Sequence, residues 1–403
     1  MIKNIIQLII LLSLLTSCLN PYEVDTSGYE KLLVVDATIT NDNPFPTVTI
    51  SLSKSDLNAT KDMVSNAFVT ISDSQGMQVV FDEVSSGIYQ PVEEKFLAQI
   101  GNVYQLYIRT ADGKEYTSEP CEMLPPSPLD SVYIGKDSEW DIESTQENQG
   151  ISIFVDGRSS GSNYLKWTYK ENWKFKIPYP NNFTFDIEED EPVLIPTENI
   201  ICWKNHSSYD ITIHSTDSQS DQIIQGKKIR FIPTRLTDRL SMRYSIDVQQ
   251  MTISKADYNF WSNLKKSTED VGELFGKQPF SIQGNLYNIN NPKEPVLGYF
   301  QVGSVVSHKI YVNDTNVKAL GVRNYQHTDF CHLDTYKIDG EIYLSLNDIY
   351  TKVILNGPYD GIHSLVDVGS QTVGFTMALP ECADCSVTGA TSPPSEWIEN
   401  EEK

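Results

Sequence analysis

Past residue 15 the sequence has no apolar run approaching the ~18 residues that a membrane helix requires, so the reading places everything downstream in water. Basic charge is scarce as well: 31 Lys and Arg stand against 54 Asp and Glu, for a formal net charge of −23. A surface of that sign repels nucleic acid and anionic headgroups, and nucleic-acid binding is set aside. The chain also lacks a His-Glu-x-x-His pair, a phosphate loop and a dinucleotide fingerprint. No catalytic residue, cofactor or resident metal is assigned, and the expectation is a protein that is not an enzyme. Two carboxylates in a cleft, which can cleave sugars without any sequence motif, are the reservation.

What is present begins with Lys3, a greasy run from Ile5 to Leu15 and the junction Leu15-Thr16-Ser17-Cys18. A charged start, a short apolar stretch and a small-residue end form a secretory signal, residues 1–17, too short to span a bilayer as a mature helix. Leu-Thr-Ser-Cys is similar to a bacterial lipobox, which implies lipidation of the Cys18 thiol and cleavage before it. Several acyl chains, at roughly 0.8 kcal/mol per buried methylene, hold a protein far more firmly than one reversible lipid. Residues 18–30 have little to bury and read as a tether.

The folded part reads as all-β. From Lys31 to Ser118 seven short runs alternate or cluster β-branched residues, with turn signals such as Asp73-Ser74-Gln75-Gly76 and Ala111-Asp112-Gly113 between them. That spacing predicts an antiparallel, immunoglobulin-like sandwich over 31–124. Pro125-Pro126-Ser127-Pro128 removes backbone donors and holds the chain extended, so 125–128 is the expected linker. Beyond it, 129–390 reads as a larger β-rich, sandwich-like domain with strands at Ile151–Val155, Tyr164–Phe175, Lys228–Ile232, Ser241–Val248 and Ser304–Val312. One helix interrupts it near 254–271, capped by Ser254, with Phe260, Trp261, Leu264, Thr268 and Val271 at helical spacing and an aromatic face expected to pack on the sheet. Residues 391–403 form a C-terminal tail.

Around this helix the sequence resembles a family of Bacteroidota outer-membrane lipoproteins catalogued as a domain of unknown function, number 4249. Tyr258-Asn259-Phe260-Trp261-Ser262-Asn263-Leu264, Leu274-Phe275, Gln278-Pro279, Gly284-Asn285 and Val296-Leu297-Gly298-Tyr299-Phe300 carry the likeness. The lipobox, Gly87-Ile88-Tyr89, Leu129-Asp130-Ser131, Cys202-Trp203 and Cys382-Ala383-Asp384-Cys385 agree with it. The resemblance implies place and partner only: accessory lipoproteins of the outer membrane, often encoded beside TonB-dependent receptors. It brings no activity and no catalytic residue.

Six cysteines in an exported chain read as a disulfide framework. Setting Cys18 aside leaves Cys121, Cys202, Cys331, Cys382 and Cys385, an odd number, so at least one is free or paired between chains. Cys382-x-x-Cys385 follows Pro380 in a β-rich chain, outside the strand-to-helix context of a redox motif, and reads as a staple, with one of the pair bridging to Cys202 favoured. The tail beyond it has nothing else in the sequence to hold it down. His327, Asp329, Cys331, His332 and Asp334 together with the Cys pair are the densest set of potential zinc ligands, but structural zinc sites come as two short spacings and only one exists here. Asp186 to Glu191 lacks a calcium loop's alternating oxygens and reads as a solvated acidic loop.

Tyr164, Trp167, Tyr169 and Trp173, with Phe175, crowd one strand. They are the candidate aromatic binding surface, with Leu165, Trp167 and Tyr169 on one face and Trp173 joining after a slip. The competing account is a sheet packed on both sides. The expected function is a lipid-anchored outer-membrane accessory protein, facing outward, associated with a TonB-dependent receptor in nutrient or macromolecule handling. The second reading is a surface glycan- or peptide-binding lipoprotein acting alone, its ligand unidentified.

Overall fold

The computed structural model describes residues 31–54, 60–91, 95–141, 145–235, 237–270, 282–322 and 331–397. Cys18, the signal and the tether lie outside the described residues, as do Val271 and His327 to Phe330.

The chain is all-β. In the first part the strands are β1 (Leu33–Thr40), β2 (Val48–Leu52), β3 (Asp62–Met63), β4 (Phe68–Asp73), β5 (Gln78–Ser85), β6 (Ile88–Gln90), β7 (Val103–Arg109), β8 (Glu115–Ser118) and β9 (Cys121–Glu122). Next come β10 (Leu129–Asp141), β11 (Gln146–Arg158), β12 (Tyr164–Lys176), β13 (Phe183–Asp186), β14 (Glu191–Leu194), β15 (Ile201–Ser207), β16 (Thr212–Ser215), β17 (Ile223–Pro233) and β18 (Arg243–Ile253). Helix α1 (Lys255–Asp270) precedes β19 (Leu286–Asn288), β20 (Leu297–Asn313), β21 (Asp334–Lys337), β22 (Ser364–Val368) and β23 (Gln371–Met377).

One hydrogen-bonded path runs β15-β12-β18-β20-β1-β2-β6-β5-β4-β7-β8-β19 and links both halves of the chain. Alternation along its strands sets the cores. In the first, Val35, Ala37 and Ile39 of β1 meet Val69 and Ile71 of β4 and Leu106 and Ile108 of β7, a sandwich-like arrangement. Residues 31–124 do not close this core by themselves. Leu286, Val296, Phe300 and Val302 belong to it, because β20 returns to pair in parallel with β1 (Ala37 opposite Phe300) and β19 pairs with β8. The sequence offered only local alternation there, and a parallel neighbour needs a long crossover that such patterns do not reveal.

The second core lies between the separate sheet β10-β11-β17 and the β15-β12-β18-β20 end of the long path. Smaller clusters cover β13, β21 and β23 and the region of Cys331 and Cys382. Helix α1 starts at a reciprocal cap, with the Asp257 amide donating to Ser254 Oγ (3.1 Å) and the Ser254 amide donating to Asp257 Oδ2 (2.8 Å). Its aromatic face packs on the sheet as expected, Phe260 stacking on Tyr299 with ring centres 4.3 Å apart.

The C-terminal segment is held by more than cysteine, against the expectation. Trp397 meets Tyr311 edge-on, the Arg243 guanidinium lies 5.9 Å from its ring, and Lys309 Nζ donates to the Glu396 carbonyl at 3.2 Å. Aromatic and cationic groups of β18 and β20 give the tail a seat that its Ser-Pro-Pro composition did not announce.

Candidate functional site

Strand β12 decides what faces where. Leu165, Trp167, Tyr169, Glu171, Trp173 and Phe175 are all buried, in strict alternation and without the expected slip. The candidate aromatic surface is therefore corrected: Trp167 is 1% exposed, Trp173 5%, Tyr169 3% and Tyr164 7%. Trp167 Nε1 donates to Gln250 Oε1 (3.1 Å), Trp173 Nε1 to Asp238 Oδ1 (2.8 Å), and the Tyr164 hydroxyl to Asp217. Trp167, Tyr169 and Trp173 fill the space between two sheets, the Tyr169 hydroxyl without a hydrogen-bond partner among the described residues, while Tyr164 lies on the other face of the strand against Tyr258 of α1.

Glu171 shares that buried row, and the motif reading missed it. A carboxylate taken from water must be compensated. Arg230 Nε and Arg239 Nε each lie 3.3 Å from it, on Oε1 and Oε2. The Tyr244 hydroxyl donates to Oε1 at 2.7 Å, and His206 Nδ1 is 3.1 Å from Oε2. Burial, then the Glu171 charge, pushes the Tyr244 hydroxyl far above its ordinary range. The available signal was a charged residue at a core position of an alternating strand.

The even-numbered side chains of β12 point to the opposite face, where a groove of about 480 Å3 opens. Register aligns Lys166 with Met251 of β18 and Met251 with Val305 of β20, and in the next row Thr168 with Gln249. Gln301 of β20 and Thr38 and Thr40 of β1 complete the floor, and Asp42, Asn43 and Pro44 form one wall. Asn41 fixes that wall: its Oδ1 accepts from the Val305 amide (2.6 Å) and its Nδ2 donates to the Val305 carbonyl (3.3 Å), acting as a strand neighbour just beyond the last β1–β20 pair, Thr40 opposite Gly303.

Lys166 is the group most perturbed by this setting. Its ammonium sits 3.4 Å from the centre of the Trp261 ring and donates to Gln301 Oε1 at 3.1 Å. Burial pulls its pKa down to about 8, against the opposing pull of Asp36 and Asp257. Because an ammonium only donates, the Gln301 oxygen must face it, which turns the amide nitrogen away. That nitrogen is buried without a hydrogen-bond partner among the described residues. A concave, polar site with a perturbed titratable group and an unmatched donor is a candidate ligand site.

Beside it, Asn285 makes the same two-bond clasp on Phe300, Nδ2 to the carbonyl (2.8 Å) and the Phe300 amide to Oδ1 (2.9 Å). Gly298 lies two residues upstream at φ +91°, where a Cβ would stand 1.8 Å from the Val35 carbonyl. The Gly284-Asn285 and Gly298-Phe300 pieces noted in the sequence thus meet at the point where β20 returns to β1.

Cys202 bridges Cys385 and Cys331 bridges Cys382. The favoured Cys202 staple is therefore present, and all three sulfurs considered for zinc are held in disulfides. Cys121 is corrected from its place among the disulfide candidates: it is unpaired, partly buried beside Asn285, and burial pushes its thiol up to about 12, an unreactive state. The acidic stretch from Asp186 to Glu191 forms the turn of the β13–β14 hairpin. One string passed over in the motif reading, Gly157-Arg158-Ser159-Ser160-Gly161, has the letters of a nucleophile elbow. It joins two strands, β11 and β12, rather than a strand and a helix, and the buried Ser159 hydroxyl is 2.6 Å from Thr216 Oγ1.

No helix among the described residues is long and apolar enough to cross a membrane. Residues 20–309 match the family model described as Domain of unknown function (DUF4249). No curated protein matches the chain.

Proposed function

The chain belongs to the DUF4249 family, and from that premise we propose that it is a Bacteroidota lipoprotein, anchored in the outer membrane through Cys18 and facing outward. Its proposed role is non-catalytic: an accessory to a TonB-dependent receptor in nutrient or macromolecule handling. The observation that carries the anchoring is Leu15-Thr16-Ser17-Cys18 at the end of a short apolar run, followed by a polar tether ahead of the first strand. The receptor partnership rests on the family resemblance. The strongly acidic composition is compatible with a tethered, soluble body that is repelled by anionic headgroups.

Two measurements test the reading. A palmitate analogue labels the wild-type protein and not Cys18→Ser, which accumulates as an unprocessed precursor; equal labelling of both would refute the anchor. Purification in mild detergent yields a stoichiometric barrel partner. The second reading, a surface glycan- or peptide-binding lipoprotein acting alone, is favoured by the polar groove on β12, β18, β20 and β1. A monodisperse monomer that binds a glycan array supports it instead. Stacking on the β12 rings has no part in that reading, since they lie in the core.

A further inference from the structure

We propose that the groove binds a small polyhydroxylated carboxylate, a sugar acid, with the carboxylate seated on Lys166 Nζ and the amide nitrogen of Gln301. This rests on the reading of the groove as a ligand site. Four observations converge on that chemistry.

The floor offers donors rather than acceptors. Lys166 has spent one N–H on Gln301 Oε1, and the Gln301 nitrogen has no acceptor among the described residues. Two adjacent donors, one of them charged, match the two oxygens of a carboxylate. Lys166 and Lys170 supply the positive charge of the lining beside one carboxylate, Asp42, while Asp36 and Asp257 act on Lys166 and Lys170 interacts with Asp247.

The lining also offers hydroxyls and amides from Thr38, Thr40, Asn43, Thr168 and Gln249, beside the apolar Pro44, Met251 and Val305. The hydroxyls and amides match the hydroxyls of a sugar ring, and the apolar residues match its C–H face. Stacking on an aromatic platform, the usual means of holding a neutral sugar face, is not on offer: the β12 rings are buried and the face of Trp261 carries the Lys166 ammonium. A volume of about 480 Å3 lies within the range of small-ligand sites and suits one or two sugar units.

The test uses the mature, lipidated full chain in detergent, titrated calorimetrically with glucuronate and galacturonate. Glucose and galactose serve as neutral counterparts, and succinate as a carboxylate without hydroxyls. The expected result is saturable uronate binding, at least tenfold weaker binding of the hexoses and succinate, and at least tenfold loss in Lys166→Met and in Gln301→Glu. Lys166→Arg retains binding, and melting of each variant at or above the parent's temperature excludes misfolding as the cause of a loss. Uronate binding that survives both Lys166→Met and Gln301→Glu would overturn the assignment, as would no binding of any uronate at millimolar concentration. Equal binding of hexose and uronate would overturn the carboxylate while leaving the groove as a ligand site, and none of these outcomes bears on labelling at Cys18 or on copurification of a receptor.

Discussion

Single residues carry unusually separable effects in this protein. Glu171 is fully buried and compensates two guanidinium groups at once. Replacing it with Ala strands those charges, and the expected cost is about 3 to 5 kcal/mol, read as a lowered denaturation midpoint with an unchanged slope. Lys166 acts in the opposite sense. Its folded-state pKa of about 8 lies below the ordinary 10.5. Between those values the unfolded chain holds a proton that the folded chain has released, so this residue's contribution to stability rises with pH across the window. Lys166→Met is therefore expected to be more stable than the parent at pH 7, with the advantage fading from pH 8 toward 10.5. A pH-independent difference between the two denaturation curves would contradict this. Asn285 holds both backbone groups of Phe300, and Asn285→Ala leaves the amide without this acceptor and the carbonyl with the weak Cys121 thiol donor at 3.7 Å. About 2 to 4 kcal/mol is expected, measured by the same titration.

At the level of elements, β12 shows how one alternating strand serves two ends. Its odd positions build the second core around Trp167, Trp173 and Phe175, and its even positions supply Lys166 and Thr168 to the groove. The disulfides belong to this scale too. Cys331–Cys382 closes a loop with a sequence separation of 51, and Cys202–Cys385 one of 183. Removing the former by a double Cys→Ser change is expected to cost roughly 4 kcal/mol through regained freedom of the unfolded chain, seen as a lower Tm. Peptide mapping of the unreduced protein should recover both cross-links and a free thiol at Cys121 alone among these five cysteines. Cys382 and Cys385 found as free thiols would contradict the staple. The tail adds contacts of its own, because Trp397 docks on Tyr311 and Arg243.

Across the whole molecule, β20 is the element that joins the two larger cores, with Phe300 and Val302 in one and Val312 in the other. A protease cut within Pro125 to Pro128 is therefore expected to leave the fragments associated in native buffer and to release them only in denaturant; free migration of a 31–124 fragment under native conditions would show that the return of β20 adds little. The all-β character, the helix at Lys255–Asp270, the packing of its aromatic face on the sheet and the Cys202 staple were legible in the sequence, because they follow from periodicity, capping and cysteine chemistry that act within a few residues or through composition. The parallel pairing of β1 with β20, the partners of Glu171, the seat of Trp397 and the groove were not. Each depends on which strands become neighbours, and in a sheet that choice is made by backbone pairing between segments such as Ala37 and Phe300, hundreds of residues apart, to which local alternation is blind. The sequence alone determined that β12 would present two different faces; only the tertiary structure decided that its rings face a second sheet and its lysine a hollow, because burial is a property of the neighbours a strand acquires.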